Sequence, residues 1–254
     1  MASEDVCPKC GGTGFVIIER AQVSGAQPCD CRFQNMAARR QSGAHIPPLY
    51  RNASFENFTF AAENPLAQRD LRTTMMGVKR FADDFPNESR PGLLLIGEPG
   101  TGKTHLAVAA LRRILEKGFE CLFCDYQNLL DRIRASYDAN SNSADREAYR
   151  DALEAEVLLL DDLGAHRVTE WVEDTITSII TSRCNNRKPL IATTNLPDAD
   201  AGSATYEKTA LGTQYRTTLR DRIGDRARSR LFEMCTVIRM PLVEDYRVRK
   251  QRVF

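Results

Sequence analysis

The stretch GEPGTGKT, residues 97–104, carries three glycines and a Lys-Thr pair at the spacing that wraps a main chain around phosphate. Gly97, Gly100 and Gly102 let backbone N–H groups point inward at an anion, and a helix starting behind the loop offers its positive end to the same charge. Glu98, Pro99 and Thr101 complete the loop, and His105 follows it. Lys103 is expected to reach the β- and γ-phosphates of a nucleotide, and Thr104 to hold Mg2+. A carboxylate site follows in VLLLDDLG, residues 157–164, at the end of the clearest buried-strand run. There Asp161 is expected to hold Mg2+ through water, while Asp162 orients or deprotonates an attacking water. A third apolar run, PLIATTNLP at residues 189–197, leads to Asn195, placed to hold the γ-phosphate or that water. Alone, a TN pair also caps a turn; behind the other two motifs it reads as part of the site.

A second kind of chemistry lies near the start. Cys7 and Cys10 in CPKCGGTGF, with Cys29 and Cys31 in CDC, make a CxxC plus CxC quartet. The glycines allow the tight knuckle that two thiolates on one tetrahedral Zn2+ require, and His45 is an alternative ligand. Idle thiols are the competing reading. Cys121 and Cys124 form another CxxC, but on an expected strand they point to opposite faces, and with Cys184 and Cys235 they read as small buried hydrophobes.

The elements that position these groups follow from apolar runs and helical periodicity. Strands are expected near 93–96, 120–125, 157–161, 190–194 and 235–240, with helices between, which makes an α/β core of five parallel strands covered on both faces. A further helix is expected over about residues 31–41. The chain has 254 residues, 42% of them hydrophobic and 27% charged, with a net charge of +1, so any attraction to polyanions must be local. One local basic stretch runs from Arg32 to Phe55, without an acidic residue. No apolar run approaches a membrane span, and Glu4, Asp5 and Cys7 stand where a secretion signal would be basic then apolar. The expected location is cytoplasmic, with reduced thiols and no membrane partner.

The order GEPGTGKT, LLLDDLG, ATTN, RSRL and DYR resembles the AAA+ ATPases, and within them the DnaC/DnaI helicase loaders and the IstB-like transposition helpers. The resemblance runs from about residue 49, including the lead-in segment YRNASFENFTF, to residue 254. It implies an AAA+ core with a truncated C-terminal lid, ATP and Mg2+ as cofactors, and slow, DNA-stimulated ATP hydrolysis. Arg230 in RSRLFEM matches the arginine finger that reaches a neighbouring subunit's nucleotide, and Arg247 in DYR matches a sensor of the subunit's own nucleotide. A finger acting in trans implies an ATP-dependent homo-oligomer, a ring or an open spiral. Residues 216–230 hold six arginines, however, with Asp221 and Asp225 at helical spacing, so a salt-bridged helix face is the reading for most of them. Arg222, Arg226 and Arg230 are expected on one face of that helix, Arg226 being the reserve finger.

In the resembling loaders the segment corresponding to residues 128–156 touches single-stranded DNA. Arg134 and Tyr137 match one basic and aromatic contact pair, and Thr169 and Trp171 a second; capping and core anchoring are the structural alternatives for Tyr137 and Trp171. Residues 1–45 are expected to form a zinc-binding partner module, 46–75 a linker and lead-in segment, and 76–254 the ATPase domain. The implied function is an ATP-dependent loader of a replicative DNA helicase in DNA replication. The alternatives are an IstB-like helper that delivers a transposase, and an ATP-gated adaptor with little hydrolysis. Two departures stand out: Asp162 where many AAA+ proteins have Glu, and the long stretch 197–215, expected to be a disordered loop or a partner contact.

Overall fold

A computed structural model describes residues 7–10, 13, 15–20, 23–29, 43–60, 64–137, 143–209 and 212–251. Five strands form one parallel sheet: β3 (Gly92–Ile96), β4 (Cys121–Asp125), β5 (Val157–Asp161), β6 (Leu190–Thr194) and β9 (Cys235–Arg239), in the spatial order β4-β5-β6-β3-β9. All four neighbouring pairs run parallel. The runs LLLI and VLLL carry no charge because both faces of these strands are covered. Leu93 and Leu95 enter one core and Leu94 and Ile96 the other, the period of two that a pleated strand imposes. Each leucine so buried contributes about 1.5–3 kcal/mol.

One face is covered by α1 (Pro65–Asp83) and α2 (Lys103–Glu116), the other by α3 (Tyr126–Ala135), α4 (Ser143–Glu154), α5 (Glu170–Asn185) and α6 (Leu219–Met234). A short α7 (Tyr246–Gln251) follows β9. The helix starts are written in the sequence. Asn64 caps α1 by accepting from the Leu66 N–H at 2.9 Å, with Pro65 behind it, and Asp125 caps α3 by accepting from Asn128 N–H at 2.8 Å. No helix among the described residues is long and apolar enough to cross a membrane. The segment expected to be a linker supplies Ala53, Phe55 and Phe58 to the core, and α1 runs through position 75 without a break.

Cys121 and Cys124 lie in opposite cores, as strand alternation requires, and Cys235 is fully buried, whereas Cys184 is only half-buried. Burial pushes the Cys121 and Cys124 thiols up to about 12, so both are inert at neutral pH.

Two expectations are corrected. Arg222 does not share a helical face with Arg226 and Arg230, because Gly224 sits at φ 77°, ψ 162° and breaks α6 between them. That backbone conformation is one that essentially only glycine adopts, and a Cβ there would also displace the Glu173 carboxylate of α5. Nor is the stretch 197–215 a disordered loop: β7 (Tyr206–Thr209) and β8 (Gly212–Tyr215) pair antiparallel as a hairpin, with Tyr206 and Tyr215 in edge-to-face contact at 5.5 Å. A second hairpin near the start pairs β1 (Phe15–Arg20) with β2 (Val23–Pro28). The helix expected over residues 31–41 lies outside the described residues.

Arg183 on α5 is fully buried and donates to the carbonyls of Ala152, Ala155, Glu156 and Pro189 at 2.6–3.3 Å, tying the end of α4 to the starts of β5 and β6. Arg183→Met leaves those carbonyls unpaired and is expected to lower the unfolding free energy by about 2–4 kcal/mol in urea titration.

Candidate functional site

The carboxyl ends of β3, β5 and β6 lie side by side, which brings the three motifs of the sequence together. Behind β3 the loop turns through Gly100 at φ 72° and Gly102 at φ 92°, a left-handed geometry that favours glycine. A Cβ on Gly102 would also lie 2.6 Å from the Phe58 ring, and one on Gly100 would run into the Asp245 carboxylate. Lys103 Nζ donates to the main-chain carbonyl of Glu98 at 2.8 Å, and the Thr101 hydroxyl donates to the same oxygen at 2.8 Å. Lys103 is 5% exposed. Burial lowers its pKa to about 8 despite the neighbouring charges of Asp162, Asp161 and Glu98, and Arg247 adds to the lowering.

Opposite the lysine stand the two carboxylates. The fully buried Thr193 hydroxyl donates to Asp161 Oδ1 at 2.6 Å and accepts from the Asp162 N–H at 3.0 Å. Burial raises the Asp161 pKa, while hydrogen bonds from Thr193 and Thr104 oppose the rise. Asp162 adopts a left-handed φ of 54°, a conformation that aspartate tolerates better than most residues. Its Oδ1 accepts from Asn195 Nδ2 at 2.9 Å. The structure thus unites Gly97–His105, Asp161, Asp162 and Asn195 around one center.

A cavity of about 630 Å³ opens on this center, lined by residues 99–105, Asp162 and Asn195. Its lining also includes the apolar side chains of Leu49, Tyr50, Phe58, Leu71 and Val243. Tyr246 and Arg247 close one side, and the Tyr246 N–H donates to Gly100 O at 3.2 Å. The lining fits a nucleotide, since it combines a cation and a turned main chain with the rings of Tyr50 and Phe58. Sequence reading missed Tyr50, Phe58 and Thr193. The only signal for Thr193 is a threonine pair closing an otherwise apolar strand run.

Arg230 lies outside this cavity, exposed on α6, with its guanidinium on Glu233 at 2.7 Å. The Arg134 guanidinium stacks on the Trp171 ring at 4.8 Å, and Tyr137 meets that ring edge-on at 6.4 Å. Thr169 is the N-cap of α5, its hydroxyl accepting from the Val172 N–H at 3.3 Å. The sulfurs of Cys7, Cys10 and Cys29 lie within 4.8 Å of one another. Tetrahedral zinc holds thiolates about 3.8 Å apart, and Cys7 and Cys29 are 3.9 Å apart, so the triad fits three corners of such a site. Cys31, the expected fourth ligand, lies outside the described residues.

The lowered lysine makes a testable statement about protons. A bound polyphosphate favours the charged ammonium, so at pH 8 its binding is expected to take up about half a proton. Below pH 7 the lysine is already charged and this uptake vanishes. Calorimetric titration with ATP in buffers of different ionisation enthalpy reads the difference.

Residues 32–229 match the family described as IstB-like ATP binding protein. Over 178 residues the chain is 27% identical to the uncharacterized protein YqaM of Bacillus subtilis (strain 168), covering 67% of this chain and 55% of YqaM. It is 23% identical over 150 residues to the replicative helicase loader DnaC of Escherichia coli (strain K12), covering 59% of this chain and 58% of that loader. The chain therefore spans little more than half the length of these relatives. A crystal structure of the DnaC helicase loader is similar at a TM-score of 0.60 and 29% identity, covering 77% of this chain and 100% of that one. A crystal structure of DnaI shares the fold at a TM-score of 0.55 and 19% identity, over 80% of this chain and 97% of that one. With the phosphate loop, paired carboxylates and parallel sheet in place, the chain belongs to the IstB-like ATP-binding family of AAA+ proteins, to which the DnaC loaders are similar.

Proposed function

We propose that the protein is an ATP-dependent helicase loader of DNA replication, binding ATP with Mg2+, single-stranded DNA and a replicative helicase. The observation that carries the ATPase reading is the Asp162–Asn195 pair beside Lys103 in one cavity. Lys103 would leave the Glu98 carbonyl for the β- and γ-phosphates, with the loop's N–H groups around them. Thr104 and Asp161 would hold Mg2+, which supplies positive charge to the phosphate oxygens when bound. Asp162, aligned by Asn195, takes the proton of a water that attacks the γ-phosphorus as the bond to the bridging oxygen breaks, giving ADP and phosphate. The apolar side chains of the lining receive the base, and Arg247 approaches the phosphates from the same subunit. The shorter Asp162 in place of Glu fits a slow enzyme, and DNA stimulation is part of the same reading.

Arg230, exposed and outside its own cavity, suits a finger offered to the next subunit of a ring or spiral. Arg134, Tyr137 and Trp171 are the DNA platform, a cation for the backbone beside rings for stacking. Thr169 supports the platform by starting the helix that carries Trp171. In the N-terminal module, residues 1–45, Cys7, Cys10 and Cys29 with Cys31 would hold zinc and present the helicase-binding surface. Residues 46–75 lead into the ATPase domain, 76–254. The family match favours a second reading, a transposition helper that delivers a transposase. Capture from the native host with ATP present separates the two: replicative helicase supports the loader, transposase the helper. A chain that binds ATP but does not hydrolyse it is the gated adaptor.

Lys103→Ala is expected to abolish ATP binding and hydrolysis; activity that survives it contradicts the site. Trp171→Ala is expected to weaken single-stranded DNA binding by about tenfold, the worth of one stacked base, and to leave basal hydrolysis unchanged. Equal DNA affinity in titrations with a labelled oligonucleotide removes the platform from the account.

A further inference from the structure

Most of the arginines between residues 216 and 230 pair with groups outside the phosphate loop. Arg220 pairs with Asp225, Arg222 reaches the His166 carbonyl, and Arg228 clamps Asp198 and Asp200 while stacking on Phe232. Arg216 does something different. Its guanidinium reaches 118 residues back along the chain to the Glu98 carboxylate at 2.8 Å, and both side chains are partly sheltered, at 29% and 38% exposure.

Glu98 is the only acidic side chain in GEPGTGKT. Its main-chain carbonyl is also the acceptor that both Lys103 and Thr101 use. An unpaired carboxylate there, close enough to act on the charge of Lys103, would lie within a Debye length of an incoming polyphosphate and oppose it. Arg216 neutralises that charge and pins the residue on which the phosphate-binding lysine rests. Its own N–H donates to the Thr205 carbonyl at 2.9 Å, closing the base of the β7–β8 hairpin. The adjacent Tyr215 hydroxyl donates to Asp221 at 2.7 Å, the carboxylate of the capping box that starts α6. The hairpin base thus anchors Arg216 from both sides, and the finger helix begins three residues later.

We propose that Arg216 is a positioning residue of the nucleotide site: by holding Glu98 it screens the loop's one negative side chain and keeps the phosphate loop in the shape that receives ATP. This rests on the ATP-site reading above. Because the pair acts before chemistry, its loss weakens binding and leaves turnover alone.

The test is a double-mutant cycle on the full chain, reading the Kd for a fluorescent ATP analogue and the KM and kcat for ATP. Arg216→Ala is expected to raise Kd and KM by about three- to fivefold, the upper range for a partly exposed ion pair, with kcat within about twofold. In a Glu98→Gln background the same change is expected to have no further effect, since the charge it screens is gone. Thermal melts followed by Trp171 fluorescence verify folding, and Arg216→Gln serves the same cycle if Arg216→Ala does not fold. An unchanged KM, or an equal rise in both backgrounds, overturns the inference. Wild-type protein that takes up no ATP overturns the reading of the site and this inference with it, whereas wild type that binds while the cycle shows no coupling overturns this inference alone.

Discussion

A buried cation facing two carboxylates at the edge of a parallel sheet is the constraint on which the rest of the structure depends. Lys103 and Asp161 are both nearly buried, and burial works against the charged form of each, opposed by the carboxylates around Lys103 and by the Thr193 and Thr104 hydrogen bonds to Asp161. The Thr193 hydroxyl arranges the acidic side, donating to Asp161 and receiving the N–H of Asp162. That hydroxyl reaches both because β6 lies directly between β5 and β3. The strand order is therefore a condition for the site as well as a description of the fold. Burial, not a lack of nearby carboxylates, is what lowers the lysine's pKa, and a bound phosphate would favour its charged form.

The strands and the phosphate loop were legible in the sequence because their causes are local. An uncharged run of four or five residues between polar turns specifies a strand covered on both sides, and all five strands fall within one residue of the expected bounds. The glycines, lysine and threonine of the loop act on neighbours within eight residues. Cys121 and Cys124 separated onto opposite faces for an equally local reason, the strand's period of two.

What could not be read depends on contacts far apart in sequence. Gly224 breaks α6 at a glycine-only backbone conformation, packed against the Glu173 side chain of another helix. Phe58 closes over Gly102, Thr193 bridges two aspartates at and just beyond the end of β5, and Arg216 reaches Glu98, 118 residues back along the chain. Charge periodicity suggested one arginine face on α6, but Gly224 separates Arg222 from Arg226 and Arg230, and the arginines differ in their partners, Arg220 on Asp225, Arg228 on Asp198 and Arg230 on Glu233. The core contribution of the lead-in segment was not legible because Ala53, Phe55 and Phe58 follow no single period, being spaced by two and then three residues.

The cavity is lined by both the phosphate loop and apolar side chains, and the proposed occupant, ATP, carries both a polyanion and a flat ring system. Binding of ATP with and without Mg2+, followed by calorimetry on the wild-type chain, tests that claim most directly. The account predicts one ATP bound per chain, with affinity falling by about tenfold or more when Mg2+ is chelated, because Thr104 and Asp161 then lose the ion that joins them to the phosphates. No binding in the presence of Mg2+, or equal affinity without it, would contradict it.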